Sequence, residues 1–207
     1  MHDYFKSILE FRLPDDLDDV PSNRSGVYVL CLRFPSDYEL GLTSGHSDLE
    51  RVVAVIRRYV MRMSKVIGFQ EMYGTVRIGG VADHLCQESK ASIVRKDLSP
   101  TSDLFESYVI QNAGDRSKVQ ELAMALRLGV SAAPPLYVGM TAKQSFQARI
   151  GQHFRGETDI NERLSCFGLD WSMLSVKCIS IENTSSDNVR QLEKIIQALL
   201  KPKLSKQ

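Results

Sequence analysis

The run Gly26-Val27-Tyr28-Val29-Leu30-Cys31-Leu32 constrains this chain most. It is apolar without interruption and follows a loop at 14–25 rich in Asp, Pro and Ser. A β-branched run after such a turn signal predicts a strand. Two other stretches predict strands that can join it. One is 135–139, which holds Leu136-Tyr137-Val138-Gly139 after Pro134-Pro135; the other is 173–180, where Leu174, Val176 and Cys178 alternate. More than a hundred residues separate Tyr28 from Tyr137. The expected fold is therefore α/β (α+β): a small central antiparallel three-stranded sheet flanked by helices and interrupted by a mostly helical insertion. The boundaries read as a core of 1–35 with 134–207 and an insertion of 36–133.

Helical periodicity fills the rest. Residues 1–12 suggest a short helix. From Asp48 to Ile67, Leu49, Val52, Val53, Ile56, Val60, Met63 and Ile67 recur at three- and four-residue steps. Residues 72–78 alternate like a strand that Gly79-Gly80 ends. Residues 84–102 stay ambiguous, and a short helix is expected over 103–112. Asp115 caps a helix through Leu128, with Gly129 as its stop. A helix over Lys143–Phe154 faces the core with Phe146 and Ile150, and 155–170 form a polar loop region with room for one helical turn. Asp187 or Asn188 caps a last helix whose apolar face is Val189, Leu192, Ile196, Leu199 and Leu200.

Composition narrows the function classes. Hydrophobic residues are 43% and charged residues 25%, which argues against a disordered tail, a collagen-like chain or a coiled-coil rod. No apolar run is long enough for a membrane span, and the first residues lack the apolar stretch of a signal peptide, so a cytoplasmic protein with no membrane partner is expected. Cys31, Cys86, Cys166 and Cys178 form no Cys-x-x-Cys pair, and His2, His46, His84 and His153 are not spaced beside them as zinc ligands. Net charge is +1, but residues 135–207 carry ten basic and seven acidic side chains, which permits nucleic-acid binding.

Four pieces occur in a telling order. They are Gly26-Val27-Tyr28 on one strand, Tyr137-Val138-Gly139 on a second, Arg149 and His153 at i,i+4 on the next helix, and Glu193 on the last helix, with Pro202 and Ser205 near the chain end. Taken singly, each is an ordinary strand aromatic or helix charge; in this order they resemble the GIY-YIG nuclease superfamily. The resemblance covers 21–33 and 135–205. Val stands in place of Ile, which keeps a β-branched residue in each strand. The connection between the two tyrosine strands is much longer than is usual in the family, and Ser205 stands where the family usually has Asn.

The residues themselves suit phosphodiester hydrolysis. Arg149 and His153 project from one helix face, and an Arg fork matches phosphate oxygens. Glu193 falls at the edge of the apolar stripe, where one carboxylate and several waters can hold Mg²⁺. The resemblance implies the roles. Tyr28 orients or deprotonates the attacking water together with His153, and Tyr137 supports the phosphate or the water. Arg149 stabilises the transition state, and Glu193 ligates Mg²⁺ or Mn²⁺. Gly26, Gly139 and Ser205 support the site.

The implied function is a metal-dependent endonuclease that hydrolyses DNA, expected to be double-stranded, of a restriction or phage-defence type. One active site cuts one strand, so double-strand cleavage calls for a homodimer or two successive events. Arg51, Arg58, Arg62 and Lys65 share one helix face opposite the apolar one, either as a solvated surface or as a DNA-binding stripe. Lys143, Arg155 and Lys203 are further DNA-binding candidates. Two alternatives stay open. One is a nucleic-acid-binding module with weak or no catalysis; the other is a regulatory protein acting through the insertion.

Overall fold

The structure, a computed structural model, describes residues 8–43, 48–76, 104–181, 185–202 and 204, with 64, 65 and 67–76 described in their backbone alone. The ambiguous stretch 84–102 lies outside the described residues, as do Cys86, His2, His46, His84, Lys203, Ser205 and the side chain of Lys65. Two compact units divide the chain: Met1–Phe34 with Gly129–Gln207, and Pro35–Leu128.

The first unit is built on an antiparallel sheet of four strands: β1 (Leu9–Arg12), β2 (Gly26–Leu32), β3 (Tyr137–Thr141) and β4 (Leu174–Ser180), in the order β1-β4-β2-β3. The fold is α+β as expected, with one strand more. That strand, β1, falls where a short helix was expected. Leu9 and Phe11 alternate with the exposed Glu10 and Arg12, and a segment this short fits either period until it pairs with β4.

Both faces of the sheet are covered. Tyr28, Leu30, Val176 and Cys178 lie on one face, and all are buried. A helix, α4 (Phe146–Phe154), covers that face with Phe146, Ile150 and His153. It starts later than the expected Lys143, because the Ser145 hydroxyl accepts from the Ala148 N–H and fixes the first turn. A further helix, α5 (Ile160–Cys166), follows inside the stretch read as a polar loop. On the other face Val27, Val29 and Val138 pack with Val189 and Ile196 of α6 (Ser186–Leu200).

The cap of α6 is Ser185, not Asp187 or Asn188. Its expected apolar face is only partly used: Leu192, Leu199 and Leu200 are exposed. The reason is that α6 lies against β3, the last strand of the sheet, and reaches its core with Val189 and Ile196. The Gln197 side-chain amide donates to the Val138 carbonyl (3.0 Å), and the Leu204 N–H donates to the Leu136 carbonyl (2.6 Å). Arg163 of α5 donates in turn to the Leu204 carbonyl. These bonds occupy peptide groups that an edge strand would otherwise leave open.

Beyond the turns at 37–43, the described part of the second unit is mainly helical: α1 (Leu49–Val76), α2 (104–112) and most of α3 (Arg116–Ser131). Val52, Val53, Ile56 and Met63 of α1, Val109 of α2 and Val119 and Ala123 of α3 are buried. Arg57 grips Glu106 through two nitrogens (2.8 and 2.7 Å). Two readings are corrected here. The helix expected to end at Ile67 runs to Val76, through most of the strand read at 72–78, since adding turns to an existing helix carries no nucleation cost. Gly129 does not stop α3, which continues to Ser131; Gly129 lacks the positive φ of a glycine stop. Among the described residues no helix is long and apolar enough to cross a membrane.

Candidate active site

Two glycines of the strands stand where a side chain would not fit. Gly26 opens β2 at φ +149, and a Cβ there would sit 2.2 Å from the Ile179 carbonyl oxygen. Gly139 pairs with Tyr28 across the β2–β3 ladder. A Cβ on Gly139 would lie 2.5 Å from Tyr28 Cζ and Oη and 2.7 Å from Tyr137 Cε1. The bare backbone of Gly139 is thus the floor on which both tyrosine rings rest. The Tyr-x-Gly spacing puts Tyr137 and Gly139 on one face, and the register puts Tyr28 beside them.

His153 reaches the same place from α4, one turn after Arg149. The rings of Tyr28, Tyr137 and His153 form a triangle with centroid separations of 6.0, 5.8 and 5.6 Å. Tyr28 Oη lies 2.6 Å from His153 Nε2, and His153 Nδ1 lies 2.7 Å from Thr158 Oγ1. Both ring nitrogens of a fully buried imidazole are therefore satisfied. Desolvation, and then the Arg149 cation, hold His153 down at about 4, so it is neutral at neutral pH. Burial pushes the Tyr28 phenol above its ordinary range; Tyr137 adds to this and Arg149 opposes it without prevailing. Burial likewise raises Tyr137, again against Arg149.

Arg149 and Glu193 complete the group. The Arg149 guanidinium donates to Gln152 Oε1 (3.1 Å), and its field reaches Tyr28, Tyr137, His153 and Glu193. Glu193 is half-buried and accepts from the Gln197 amide (3.2 Å). Burial raises its carboxyl, while Arg190, Arg149 and Lys194 pull it back. A carboxylate is the donor type that takes Mg²⁺, so Glu193 is the residue of this group that would hold one. Among the described residues no cluster of three or more His, Cys, Asp or Glu side chains accompanies it.

The structure thus gathers Tyr28, Tyr137, Arg149, His153 and Glu193, with Gly139 beneath the two tyrosines; Gly26 packs against the Ile179 carbonyl instead. Lys143 lines a cleft with Arg149. Arg155 is exposed and paired with Glu157 (2.6 Å) instead. Arg51, Arg58 and Arg62 belong to the other unit; Arg51 and Arg58 are exposed and Arg62 is partly covered. Lys203 and Ser205 lie outside the described residues, and so does the side chain of Lys65.

Sequence reasoning missed Thr158, Gln152 and Arg190. Arg190 precedes Glu193 by three residues on α6, so helical spacing could have flagged it. Thr158 returns to His153 through a turn at Gly156 (φ +78), which no periodicity reveals. No family model, curated protein or solved structure matches this chain.

Proposed function

We propose that this chain is a metal-dependent endonuclease of the GIY-YIG type that hydrolyses phosphodiester bonds in double-stranded DNA. The observation that carries the reading is the 2.6 Å contact between Tyr28 Oη and a neutral His153 Nε2, with Tyr137 and Arg149 beside it.

Hydrolysis adds water across a P–O bond, so a proton must leave the water as its oxygen attacks phosphorus. With its own proton on Nδ1, donated to Thr158 Oγ1, His153 presents Nε2 as an acceptor. Tyr28 then passes its hydroxyl proton to Nε2 while its oxygen takes the proton of the water. The phenol stays neutral before and after the step, which fits a burial that disfavours phenolate. Arg149 neutralises charge growing on the phosphate oxygens. Glu193 would hold Mg²⁺ or Mn²⁺, which supplies stabilisation of the leaving 3′ oxygen. Free Cys31, Cys166 and Cys178 and a DNA substrate suit a cytoplasmic enzyme.

A binding module without catalysis is the second reading. It is favoured by the same burial, which keeps both Tyr28 and His153 neutral and raises the cost of charging either. Nicking of supercoiled plasmid with Mg²⁺ against EDTA separates the two.

A further inference from the structure

A cleft of about 490 Å³ opens beside Arg149. Among the described residues the charged side chains on its wall are basic: Lys143 from the β3–α4 turn, Arg149 from α4 and Arg190 from the first turns of α6, with Thr141, Gln144 and Ser186 between them. A second trough of about 290 Å³ shares Lys143 and Gln144 and adds Arg24 with the polar run Ser22-Asn23. Among the described residues it too has no carboxylate on its wall. Arg24, Lys143 and Arg190 make no ion pair or side-chain hydrogen bond among the described residues.

Four cations from separate segments meet along one path, and their frame is fixed. The Phe146 N–H donates to the Arg24 carbonyl (2.9 Å) and the Gln147 N–H to the Pro21 carbonyl (3.3 Å). The Gln147 side chain donates to the Asp18 carbonyl (3.1 Å). The 18–24 loop is thereby tied to the start of α4, which places Arg24 beside Lys143. These bonds and the Ser145 cap occupy the first N–H groups of α4, so an anion in the trough would meet side chains rather than the helix end. Glu193, one turn beyond Arg190, is the carboxyl that the Arg190 cation pulls back against its burial, and it marks the end of the path at the reaction centre.

We infer that this trough carries the phosphodiester backbone of the strand being cut, from the phosphate at Arg149, past Lys143 and Arg190, to Arg24. The inference rests on the nuclease reading for the identity of the strand, and on the converging cations for the path. Backbone phosphates recur regularly along a strand, and a line of cations answers that repeat independently of base sequence.

The test is fluorescence anisotropy of the full chain with a labelled 20-base-pair duplex across a KCl series in EDTA. Arg24→Gln, Lys143→Gln, Arg190→Gln and their triple combination are compared with wild type, with Arg155→Gln as the control outside the trough. Each lost contact should flatten the slope of log affinity against log salt by about 0.9, so the triple variant should lose about two to three units and about 10²-fold in affinity at 0.1 M salt. The single variants should each lose about one unit, which keeps the test open if the triple variant folds poorly. Slopes within half a unit of wild type in all three folded single variants would overturn the path. Plasmid nicking by wild type, run alongside, keeps the two claims apart. Nicking with unchanged slopes removes the path and leaves the nuclease, whereas flattened slopes without nicking leave the path and remove the nuclease.

Discussion

Tyr28 and His153 stand 125 residues apart in the chain and 2.6 Å apart at their polar atoms. A β-strand and a helix from distant segments thus meet at one hydrogen bond, closed on its far side by Thr158.

Acidification should act through His153. Its folded value near 4 lies below the ordinary 6.5, so the unfolded chain binds the proton more readily. Stability linked to His153 is then fully present above about pH 6.5 and lost as pH falls towards 4. Urea unfolding of wild type and His153→Gln between pH 4 and 7 should show a steeper decline in wild type. Equal slopes would mean that His153 is not buried as a neutral ring. The same shift moves the acid limb of the rate profile well below pH 6.

Thr158→Val removes the partner of Nδ1 while keeping shape. The expected loss in rate is about 10-fold or more, in the range seen when a histidine loses its orienting partner. Thr158→Ser should restore most of it, and DNA affinity should hold in both variants. A Thr158→Val enzyme with wild-type rate and pH profile would separate Thr158 from the proton path.

Gly139→Ala tests the floor under the rings. The added methyl would lie 2.5 Å from Tyr28 Cζ, so the ring or the strand must move. Overpacking of this kind costs about 1–3 kcal/mol. Chemical unfolding should report that loss together with a fall in activity, since Tyr28 can no longer lie against His153. Wild-type stability and activity would mean that the rings do not rest on Gly139.

Much of this site was legible in the sequence. Gly26-Val27-Tyr28 and Tyr137-Val138-Gly139 combine strand pattern with glycines, of which Gly139 admits the rings by its missing Cβ, and Arg149 and His153 show their shared helix face by spacing alone. Other parts were not legible. At Leu9–Arg12 four residues fit a helix or a strand until β4 supplies a partner. At 72–76 the alternation of a strand lost to the continuation of an existing helix. The stripe of α6 predicted burial of Leu192 and Leu199, but a helix lying along the last strand of the sheet finds little core beyond Val189 and Ile196. Thr158 depends on a turn, and turns bring residues together without a period.

Arg149→Ala should lower the cleavage rate by about 10²–10³-fold, the usual loss for a group that stabilises transition-state charge. Arg149→Lys should recover only part of it, because a point charge cannot reproduce the fork. Single-turnover cleavage at saturating enzyme isolates this effect from binding. Full recovery in the lysine variant would assign Arg149 a purely electrostatic role.

Plasmid nicking reads out hydrolysis at Tyr28, His153 and Glu193. Supercoiled DNA incubated with the wild-type chain should convert to open circles in Mg²⁺ or Mn²⁺ and remain supercoiled in EDTA. Tyr28→Phe and Glu193→Ala should fold normally, bind DNA and leave the plasmid intact. Nicking by wild type that persists undiminished in both variants, or its absence with either metal, would contradict the account.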